Sequence, residues 1–507
     1  MTAGTRRTTA ADREDLASAS ELSPGTAGIA VDERLPKRAK LIIGLLLASA
    51  FVVILNETIM GVALPSLIRD LGITAATAQW LTTAYLLTMA IIIPTTGQVL
   101  QRFGTKSVFI AAMTLFTLGT LLAAVAPGFE VLLAGRVVQA SGTALMIPLL
   151  MTTVLTFVPA SRRGRMMGLI SIVIAVAPAV GPTLSGLILN SLSWRWLFIV
   201  VLPIALVALV LGAILITDVT ETSRSRFDVL SILLAAVGFG GLIFGLSSLG
   251  EAAAGEVLLP PAVPVAVGAL ALVVFVLRSL ALQKRDRALM DLRPFLSRAF
   301  SISTLLVIVS MATLFGSLIL LPIYLQDVLG LDTLQTGLTL LPGGVAMGVA
   351  APIVGRLFDR FGPKPLVTPG AVLLSASLWG LTTVTETTDV ALVIAVHVAL
   401  NIGLGFMLTP LLTSALGSLP TNLYSHGSAI VNTLQQVAGA AGTALFITLM
   451  TTGIVAATTA GSDAVAAQVS GVHTAFVWGA WISLVPVLLS LLVPRPAAVD
   501  RSLMPAH

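Results

Sequence analysis

Long apolar stretches alternate with short polar breaks along the chain from about residue 41 onward. Because a helix needs about 20 consecutive apolar residues to cross a bilayer, each stretch of this length is predicted to span a membrane. The pattern predicts fourteen spans, at residues 41–66, 76–99, 105–126, 130–153, 165–189, 195–216, 228–248, 257–281, 300–325, 334–357, 365–385, 389–412, 427–453 and 473–493. The fold class is therefore all-α integral membrane.

Composition leads to the same class. Hydrophobic residues make up 56% of the 507 and charged residues only 10%, whereas a soluble domain is about 25% charged. Lipid is therefore the expected solvent of the outer surface. The polar first 40 residues lack the apolar segment of a signal peptide, and we interpret them as a disordered cytoplasmic tail. The absence of cysteine excludes disulfides and thiolate metal sites, and the four histidines are scattered.

Lysine and arginine predict the orientation. With the N-terminus inside, 25 of the 28 basic residues lie on the cytoplasmic side, and the exceptions are Arg69, Arg136 and Arg195. The positive-inside rule therefore predicts that both termini lie in the cytoplasm. The protein is expected in the cytoplasmic membrane of the cell. The net charge of +5 follows from this bias and is not a sign of nucleic-acid binding.

An internal repeat divides the chain into two halves. The same pattern recurs at an offset of 258, first as Gly97-Gln-Val-Leu-Gln101-Arg102-Phe103-Gly104-Thr105-Lys106 and then as Gly355-Arg-Leu-Phe-Asp359-Arg360-Phe361-Gly362-Pro363-Lys364. Upstream, Leu64-Pro65 and Asp70 match Leu321-Pro322 and Asp327 at an offset of 257. Both halves therefore face the same way, as in transporters with parallel repeats.

The repeat also sets the predicted domains. The spans at 228–248 and 257–281 have no counterpart and are predicted to form an inserted hairpin. The chain is therefore predicted to begin with a cytoplasmic tail (1–40) and a six-helix bundle (41–216). The hairpin with its linkers (217–299), a second six-helix bundle (300–493) and a second cytoplasmic tail (494–507) follow.

Glu57 is the one residue among the 23 acidic ones that lies deep inside a predicted span. An ionised carboxylate at that depth costs roughly 2.5–3.5 kcal/mol, so it must be protonated or must face water or a partner. A group that changes between these states can carry a proton, and Arg136 lies at a depth that overlaps with that of Glu57. The alternative is a permanently protonated Glu57 between helices, with Arg136 extending outward.

Several motifs resemble those of the major facilitator superfamily, and specifically its fourteen-helix drug:proton antiporter branch of quaternary-ammonium, multidrug and lincomycin-resistance exporters. The two repeated loops are similar to the superfamily signature between the second and third helices of each half. The other motifs are Leu55-Asn-Glu-Thr-Ile-Met-Gly-Val-Ala-Leu-Pro65, Gln79-Trp80-Leu-Thr-Thr-Ala-Tyr85, Arg136-Val-Val-Gln139-Ala-Ser-Gly142 and Pro178-Ala-Val-Gly181-Pro182-Thr-Leu-Ser-Gly186. The chain departs from the usual pattern at Asn56 and Gln101, where Asp is usual, and at Ala140, where Gly is usual.

The resemblance implies a role for each motif. Proton coupling is assigned to Glu57, Arg136 and Asn56. Cytoplasmic gating is assigned to the loop residues Gly97, Gln101, Arg102, Gly104, Lys106, Gly355, Asp359, Arg360, Gly362 and Lys364, although their charges could simply orient the protein in the membrane. The Gly-Pro motif that is typical of antiporters is assigned to Pro178, Gly181, Pro182 and Gly186. The alternative is that these residues serve ordinary helix packing.

Polar residues on otherwise apolar helices are predicted to line the substrate cavity. These are Gln139, His397, Asn401, Asn432, Gln435 and Gln436, to which the resemblance adds Trp80 and Tyr85. His397 could titrate near physiological pH or act as a hydrogen-bonding core residue. Asn432, Gln435 and Gln436 share a helix face and could equally join neighbouring helices.

The predicted function is a proton-coupled secondary active exporter of amphipathic, lipophilic or cationic drugs, working as a monomer in contact with membrane lipid. No Walker-type loop is present, so the proton gradient is the expected energy source and no cofactor is expected. The alternatives are an exporter of lipid or of an endogenous metabolite, and a proton-coupled importer. The sequence has no nucleophile–base set or metal cluster that would favour an enzyme.

Overall fold

The computed structural model describes residues 37–157, 173, 177, 180–217, 228–253, 259–284, 288–420 and 423–493, and every regular element in those ranges is helical. The first half contains α1 (Lys37–Thr58), α2 (Met60–Leu71), α3 (Ala75–Ile92), α4 (Thr96–Ala124), α5 (Phe129–Phe157), α6 (Val180–Leu189), α7 (Trp196–Ile199) and α8 (Val201–Leu215).

The inserted hairpin and the second half follow. They contain α9 (Val229–Ala253), α10 (Ala262–Gln283), α11 (Arg298–Ile323), α12 (Thr333–Phe361), α13 (Lys364–Leu381), α14 (Val390–Gly417), α15 (Tyr424–Thr459) and α16 (Ala464–Ser490). A π-helical segment, Tyr324–Val328, continues α11.

Twelve helices in the described ranges are long and apolar enough to cross a membrane. The predicted span at 365–385 corresponds to α13, an 18-residue helix that begins at Lys364 and is not among the twelve. The predicted span at 165–189 lies largely outside the described residues, and α6 is its described end. The count of fourteen therefore remains a prediction, whereas the all-helical membrane fold is confirmed.

The first predicted span, 41–66, is shorter than the observed helix. α1 and α2 run from Lys37 to Leu71 and are separated only at Ile59, whose backbone stays helical with φ −64° and ψ −23°. The apolar run marks the part of the helix that lies in lipid, and helical hydrogen bonding continues into the polar residues at both ends. The interruption at Ile59 comes two residues after Glu57.

The two halves pack in the same way. In the first half, α4 packs against α5 and α8, and α1 packs against the same two helices. In the second half, α13 packs against α14 and α16, and α11 packs against those two. The repeat seen in the sequence is therefore also a repeat of helix contacts, which gives two pseudo-symmetric bundles.

Paired glycines form the equivalent turns of the two halves. Gly104 and Gly362 both have a φ of 75°, and Gly72 and Gly330 have φ values of 63° and 67°. Glycine is favoured at these positions because a side chain rarely adopts positive φ. The repeated loops therefore have the same backbone conformation at Gly104 and Gly362.

The outer surface of the bundle is apolar, as the composition required. Ile214 of α8 is 68% exposed and Leu270 of α10 is 66% exposed, and large aliphatic side chains are exposed along both helices. Such continuous apolar surface is stable in lipid and not in water.

An ion pair joins the two helices of the hairpin at their predicted cytoplasmic end. Arg278 donates to Asp228 over 2.7 Å, and Ser231 also bonds to Asp228. Burial raises the pKa of Asp228, but the hydrogen bonds from Arg278 and Ser231 outweigh it and hold that pKa below its usual value.

Candidate functional site

Arg136 lies at the centre of a buried polar cluster in the first half. Its side chain is fully buried in α5, and Nη1 donates to Oδ1 of Asn56 over 2.8 Å and to Oε1 of Gln139 over 2.6 Å. Its Nε donates to the carbonyl oxygen of Leu81 over 3.4 Å. The guanidinium is therefore held by amide and carbonyl oxygens from three helices.

A second layer of contacts fixes this arrangement. The guanidinium lies 3.9 Å from the ring centroid of Tyr85, a cation–π distance. The Tyr85 hydroxyl and Thr143 share a hydrogen bond of 2.7 Å, and Gln139 Nε2 donates to Thr120 Oγ1 over 2.7 Å. Charge-assisted and networked bonds of this kind are strong in a medium of low dielectric constant.

Glycines let α4 and α5 come close enough to build the cluster. A methyl group added at Gly142 would overlap the carbonyl oxygen of Ala112, and one added at Gly135 would lie 2.9 Å from the backbone nitrogen of Ala123. The last glycine of the Arg136–Gly142 motif is therefore required by backbone contact between the two helices.

Glu57 lies beside this cluster and not within it. Its side chain is partly accessible, and the charges of Glu57 and Arg136 interact. In the described part of the chain, however, no hydrogen bond or ion pair within 4.0 Å joins Glu57 to Arg136. One residue turns a helical side chain by about 100°, so the shift from the usual Asp position to Glu57 leaves neutral Asn56 facing Arg136.

Several buried polar atoms in this part of the first half have no hydrogen-bond partner among the described residues. They are Nη2 of Arg136, Nδ2 of Asn56, and Nε2 and Oε1 of Gln79. Buried polar groups are nearly always bonded to protein or to water. The cluster therefore has spare capacity for water or for a ligand group.

The Gly-Pro segment of α6 contacts both halves. A methyl group at Gly181 would overlap Oγ1 of Thr58, the neighbour of Glu57, and one at Gly186 would overlap the carbonyl oxygen of Thr333 in α12. Thr183 donates to the carbonyl oxygen of Gly337 over 3.1 Å. A methyl group at Gly337 would in turn lie 2.7 Å from the carbonyl oxygen of Pro182, whereas Pro178 lies outside the described residues.

Further contacts join the halves at the predicted outer side. Arg69 of α2 pairs with Asp327 over 3.3 Å, and Gln326 Nε2 donates to the carbonyl oxygen of Val62 over 3.2 Å. Both second-half residues belong to the π-helical segment after α11. A polar cleft of about 290 Å³ opens beside them, lined in part by Asn190. These contacts join the two halves at the predicted outer side.

Two glycines of the repeated loops have open space beside them. A methyl group at Gly97 or Gly355 would meet no atom of the described residues within 4 Å, so none of those residues packs closely against either glycine. Arg102 lies over the ring of Phe103, and Arg360 lies over the ring of Phe361 at the equivalent position of the second loop.

The remaining loop residues fall into two groups. Lys106 and Lys364 are partly buried beside the two turns. The side chains of Gln101 and Asp359 lie outside the described residues, so the gating role assigned to both remains a prediction.

His397 and Asn401 lie in the second half, apart from the Arg136 cluster. Both are buried in α14, Asn401 Nδ2 donates to the carbonyl oxygen of His397 over 2.9 Å, and the His397 ring bonds to the backbone of Leu340 in α12. A methyl group at Gly343 of α12 would overlap the His397 ring. This geometry favours the hydrogen-bonding core alternative for His397.

The other predicted cavity residues are partly accessible. Asn432, Gln435 and Gln436 share this property on α15, and Asn432 donates to Ser428 over 3.4 Å. Trp80 is also partly accessible and contacts Phe244 of the hairpin with ring centroids 5.9 Å apart. The predicted cavity residues therefore lie in three different places. Gln139 and Tyr85 belong to the buried Arg136 cluster, and His397 and Asn401 lie at the buried contact between α14 and α12. The others, Trp80, Asn432, Gln435 and Gln436, are partly accessible.

Three groups of the cluster were not predicted. Thr120 and Thr143 are lone hydroxyls on apolar helices, a weak signal that many structural threonines share. The carbonyl oxygen of Leu81 has no side-chain signal at all. Only the folded arrangement identifies these groups.

Comparison with known proteins identifies the family. The chain matches the sequence profile of the Major Facilitator Superfamily over residues 46–443. The chain belongs to the Major Facilitator Superfamily. This superfamily member is a multi-pass membrane transport protein and not an enzyme.

Relatives of this transporter are found in several bacteria. It is 42% identical to lincomycin resistance protein LmrB of Listeria monocytogenes over 459 residues, which are 90% of this chain and 96% of that protein. It is 39% identical over 466 residues to the uncharacterized MFS-type transporter YcnB of Bacillus subtilis, covering 92% of this chain and 97% of that protein. Identity to the multidrug resistance protein B homolog of Mycobacterium tuberculosis is 35% over 402 residues, or 78% and 73% of the two chains.

The fold of this transporter is shared with a solved structure. A bacterial homolog of the human lysosomal transporter Spinster, crystallised in an inward-facing and unoccupied conformation, matches with a TM-score of 0.67 and 11% identity. The match covers 90% of this chain and 97% of that one. At this identity the likeness concerns the fold alone.

Proposed function

We propose that this transporter is a proton-coupled exporter of amphipathic, lipophilic or cationic drugs. It works by alternating access, and one or more protons enter as the drug leaves. The observation that carries the proposal is the buried Arg136 cluster with the partly accessible side chain of Glu57 beside it. The printed functions of the lincomycin-resistance and multidrug-resistance relatives support drugs as the substrate class.

The charge balance of the cluster supports proton coupling. Arg136 is a permanent positive charge in a buried site, and its direct partners Asn56 and Gln139 are neutral. An ionised Glu57 nearby offsets that charge, and a protonated Glu57 leaves it with amide partners only. Because a buried charge is costly, each protonation state of Glu57 favours a different hydration and spacing around Arg136.

The accessibility of Glu57 supports a role in substrate exchange. No hydrogen bond or ion pair to the Glu57 side chain is found in the described part of the chain, so its carboxylate is available to bind a proton or a cationic drug, but not both at once. Competition for one carboxylate couples the two movements, since release of the drug requires arrival of the proton. Asn432, Gln435 and Gln436 offer accessible polar groups on α15 for the rest of the drug.

The contacts at the predicted outer side support alternating access. The Arg69–Asp327 pair and the bond from Gln326 to Val62 join the halves there, while Gly97 and Gly355 have open space at the predicted cytoplasmic side. Contacts between the halves on one side and space on the other are what alternating access requires of a state that loads drug from the cytoplasm. With both termini in the cytoplasm, such a monomer exports across the cytoplasmic membrane.

The test is transport in proteoliposomes with an imposed pH gradient. Lincomycin and the lipophilic cation tetraphenylphosphonium serve as probes, and drug-dependent proton movement is measured with a pH-sensitive dye. Glu57→Gln is expected to abolish proton-driven accumulation but to retain drug exchange without a gradient. Glu130→Gln is the matched control, because Glu130 is exposed at the start of α5.

Two outcomes would contradict the proposal. Proton-driven accumulation by Glu57→Gln at the wild-type rate would remove Glu57 from the coupling. Uptake of either probe against its own concentration gradient, with protons moving in the same direction as the probe, would identify an importer.

A further inference from the structure

The inserted hairpin lies across the seam at which the two halves meet. Under it, α3 of the first half packs against α15 of the second half. A methyl group at Gly439 of α15 would lie 3.1 Å from Leu86 of α3. Ile243 of α9 belongs to the same buried cluster as Tyr85 of α3 and Ala440 of α15.

The contact of the hairpin with the second half includes a hydrogen bond. Thr448 of α15 donates to the carbonyl oxygen of Leu246 in α9 over 3.2 Å. Ala235 of α9 and Phe275 of α10 are buried in the hydrophobic core of the second half. Hydrogen bonds within lipid are costly to break, because no water is present to replace them.

The segment after the hairpin is held on the same side. The backbone N–H of Asp291 donates to Nδ1 of His426, near the start of α15, over 3.4 Å. The N–H of Leu292 donates to Oε1 of Gln283 at the end of α10 over 3.1 Å. The hairpin is thus joined to α15 by polar contacts at two separate places.

The contact of the hairpin with the first half is of another kind. Trp80 of α3 contacts Phe244 with the ring planes tilted by 42°, and Leu87 of α3 lies 3.8 Å from the Cβ position of Gly240. Contacts between apolar side chains are weak individually and have little directional preference. Such a contact can slide without leaving polar groups unpaired.

The hairpin itself is rigid. A Cβ at Gly268 of α10 would lie 2.6 Å from the backbone nitrogen of Leu242 in α9, so the two backbones are in close contact. The Asp228–Arg278 pair joins the same helices at one end. The hairpin therefore moves as one body.

We propose that the hairpin moves with the second half and slides over α3, so that it seals the seam between α3 and α15 against lipid in every conformation. A compound dissolved in the bilayer must then reach the cavity by another route. This inference goes beyond the proposed function, since the seal acts on any substrate.

Reversible cross-linking tests the sliding. The chain has no cysteine, so pairs of introduced cysteines react alone. Leu87→Cys with Gly240→Cys joins the hairpin to the first half, and Leu246→Cys with Thr448→Cys joins it to the second. Each variant is treated with a short bifunctional thiol reagent that is cleaved by reduction, and lincomycin exchange is measured before cross-linking, after it and after reduction.

The two pairs are expected to behave differently. Cross-linking Leu87→Cys to Gly240→Cys should abolish exchange, and reduction should restore it. Cross-linking Leu246→Cys to Thr448→Cys should leave most of the exchange intact. The sliding motion would be overturned if both cross-links abolished exchange, if neither did, or if only the cross-link between Leu246→Cys and Thr448→Cys did. Absence of exchange in both reduced variants would instead count against lincomycin as a substrate.

Labelling from the lipid phase tests the seal and needs no substrate. Leu87→Cys, which the hairpin covers, is compared with Leu233→Cys, which is 56% exposed on α9. A membrane-dissolved maleimide should react much more slowly with Leu87→Cys than with Leu233→Cys. Equal rates would show that lipid enters the seam and would overturn the proposal.

Discussion

The Arg69–Asp327 pair is expected to bias this transporter towards the conformation closed at the predicted outer side. The two side chains are 3.3 Å apart and have exposed fractions of 57% and 33%. Ion pairs this accessible contribute roughly 0.2–1 kcal/mol, so breaking one should increase the ratio of outer-open to outer-closed molecules about 1.4- to 5-fold. Asp327→Asn and Arg69→Gln should each produce a change in this range.

Spin-label distances measure this ratio directly. Ser191 and Ser462 are exposed at the predicted outer ends of the two halves, and cysteines there would be the only ones in the chain. Double electron–electron resonance then gives the populations of the short and long distances. The longer distance should gain population in both single variants.

A charge exchange and a matched control make the prediction refutable. Combining Arg69→Asp with Asp327→Arg should bring the populations back towards wild type, because the pair is rebuilt in reverse. Asp70→Asn removes an equal charge from an exposed neighbour with no ion pair among the described residues, and it should leave the populations unchanged. If Asp70→Asn had the same effect as Asp327→Asn, general surface charge and not this pair would set the equilibrium.

Two further predictions concern packing and the hairpin. Gly142→Ala should lower the free energy of unfolding by about 1–3 kcal/mol, because the new methyl group overlaps Ala112, whereas Gly97→Ala should have little effect. Thermal unfolding in detergent measures both. Asp228→Asn should lower thermal stability at neutral pH through loss of the bond to Arg278. Since the folded pKa of Asp228 is below its usual 3.8, its contribution is present above 3.8 and is lost as the pH falls through the lower value. A difference between wild type and Asp228→Asn that did not shrink in acid would contradict this origin.

Local sequence signals were sufficient for the membrane fold. Apolar length predicted the positions of the helices. The end of α2 at Leu71 was less well predicted, because helical hydrogen bonding continues beyond an apolar run. Most of the predicted span at 165–189 lies outside the described residues. The repeat indicated that the two halves pack alike, but it did not indicate which helices of a half contact each other.

The charged and amide side chains of the site were predicted, whereas Thr120, Thr143 and the arrangement of the site were not. Glu57 and Arg136 are conspicuous as charges within the apolar part of their helices, and Asn56 and Gln139 as the single amides there. The partner of Arg136 depends on how α1 is rotated about its axis, and one residue changes that direction by about 100°. The carbonyl oxygen of Leu81 and the overlap between Gly142 and Ala112 depend on helix approach, which no local pattern encodes.

The sequence by itself determined that this protein is a two-half, all-helical membrane transporter with one acidic side chain at depth, because apolar length, charge placement and repetition are properties of the chain. The tertiary structure decided that neutral Asn56 bonds to Arg136, whereas Glu57 lies beside the cluster and is partly accessible. It also decided that α9 covers the seam between α3 and α15. Both outcomes depend on contacts between helices far apart in the chain, whose distances and rotations are set only when the bundle packs.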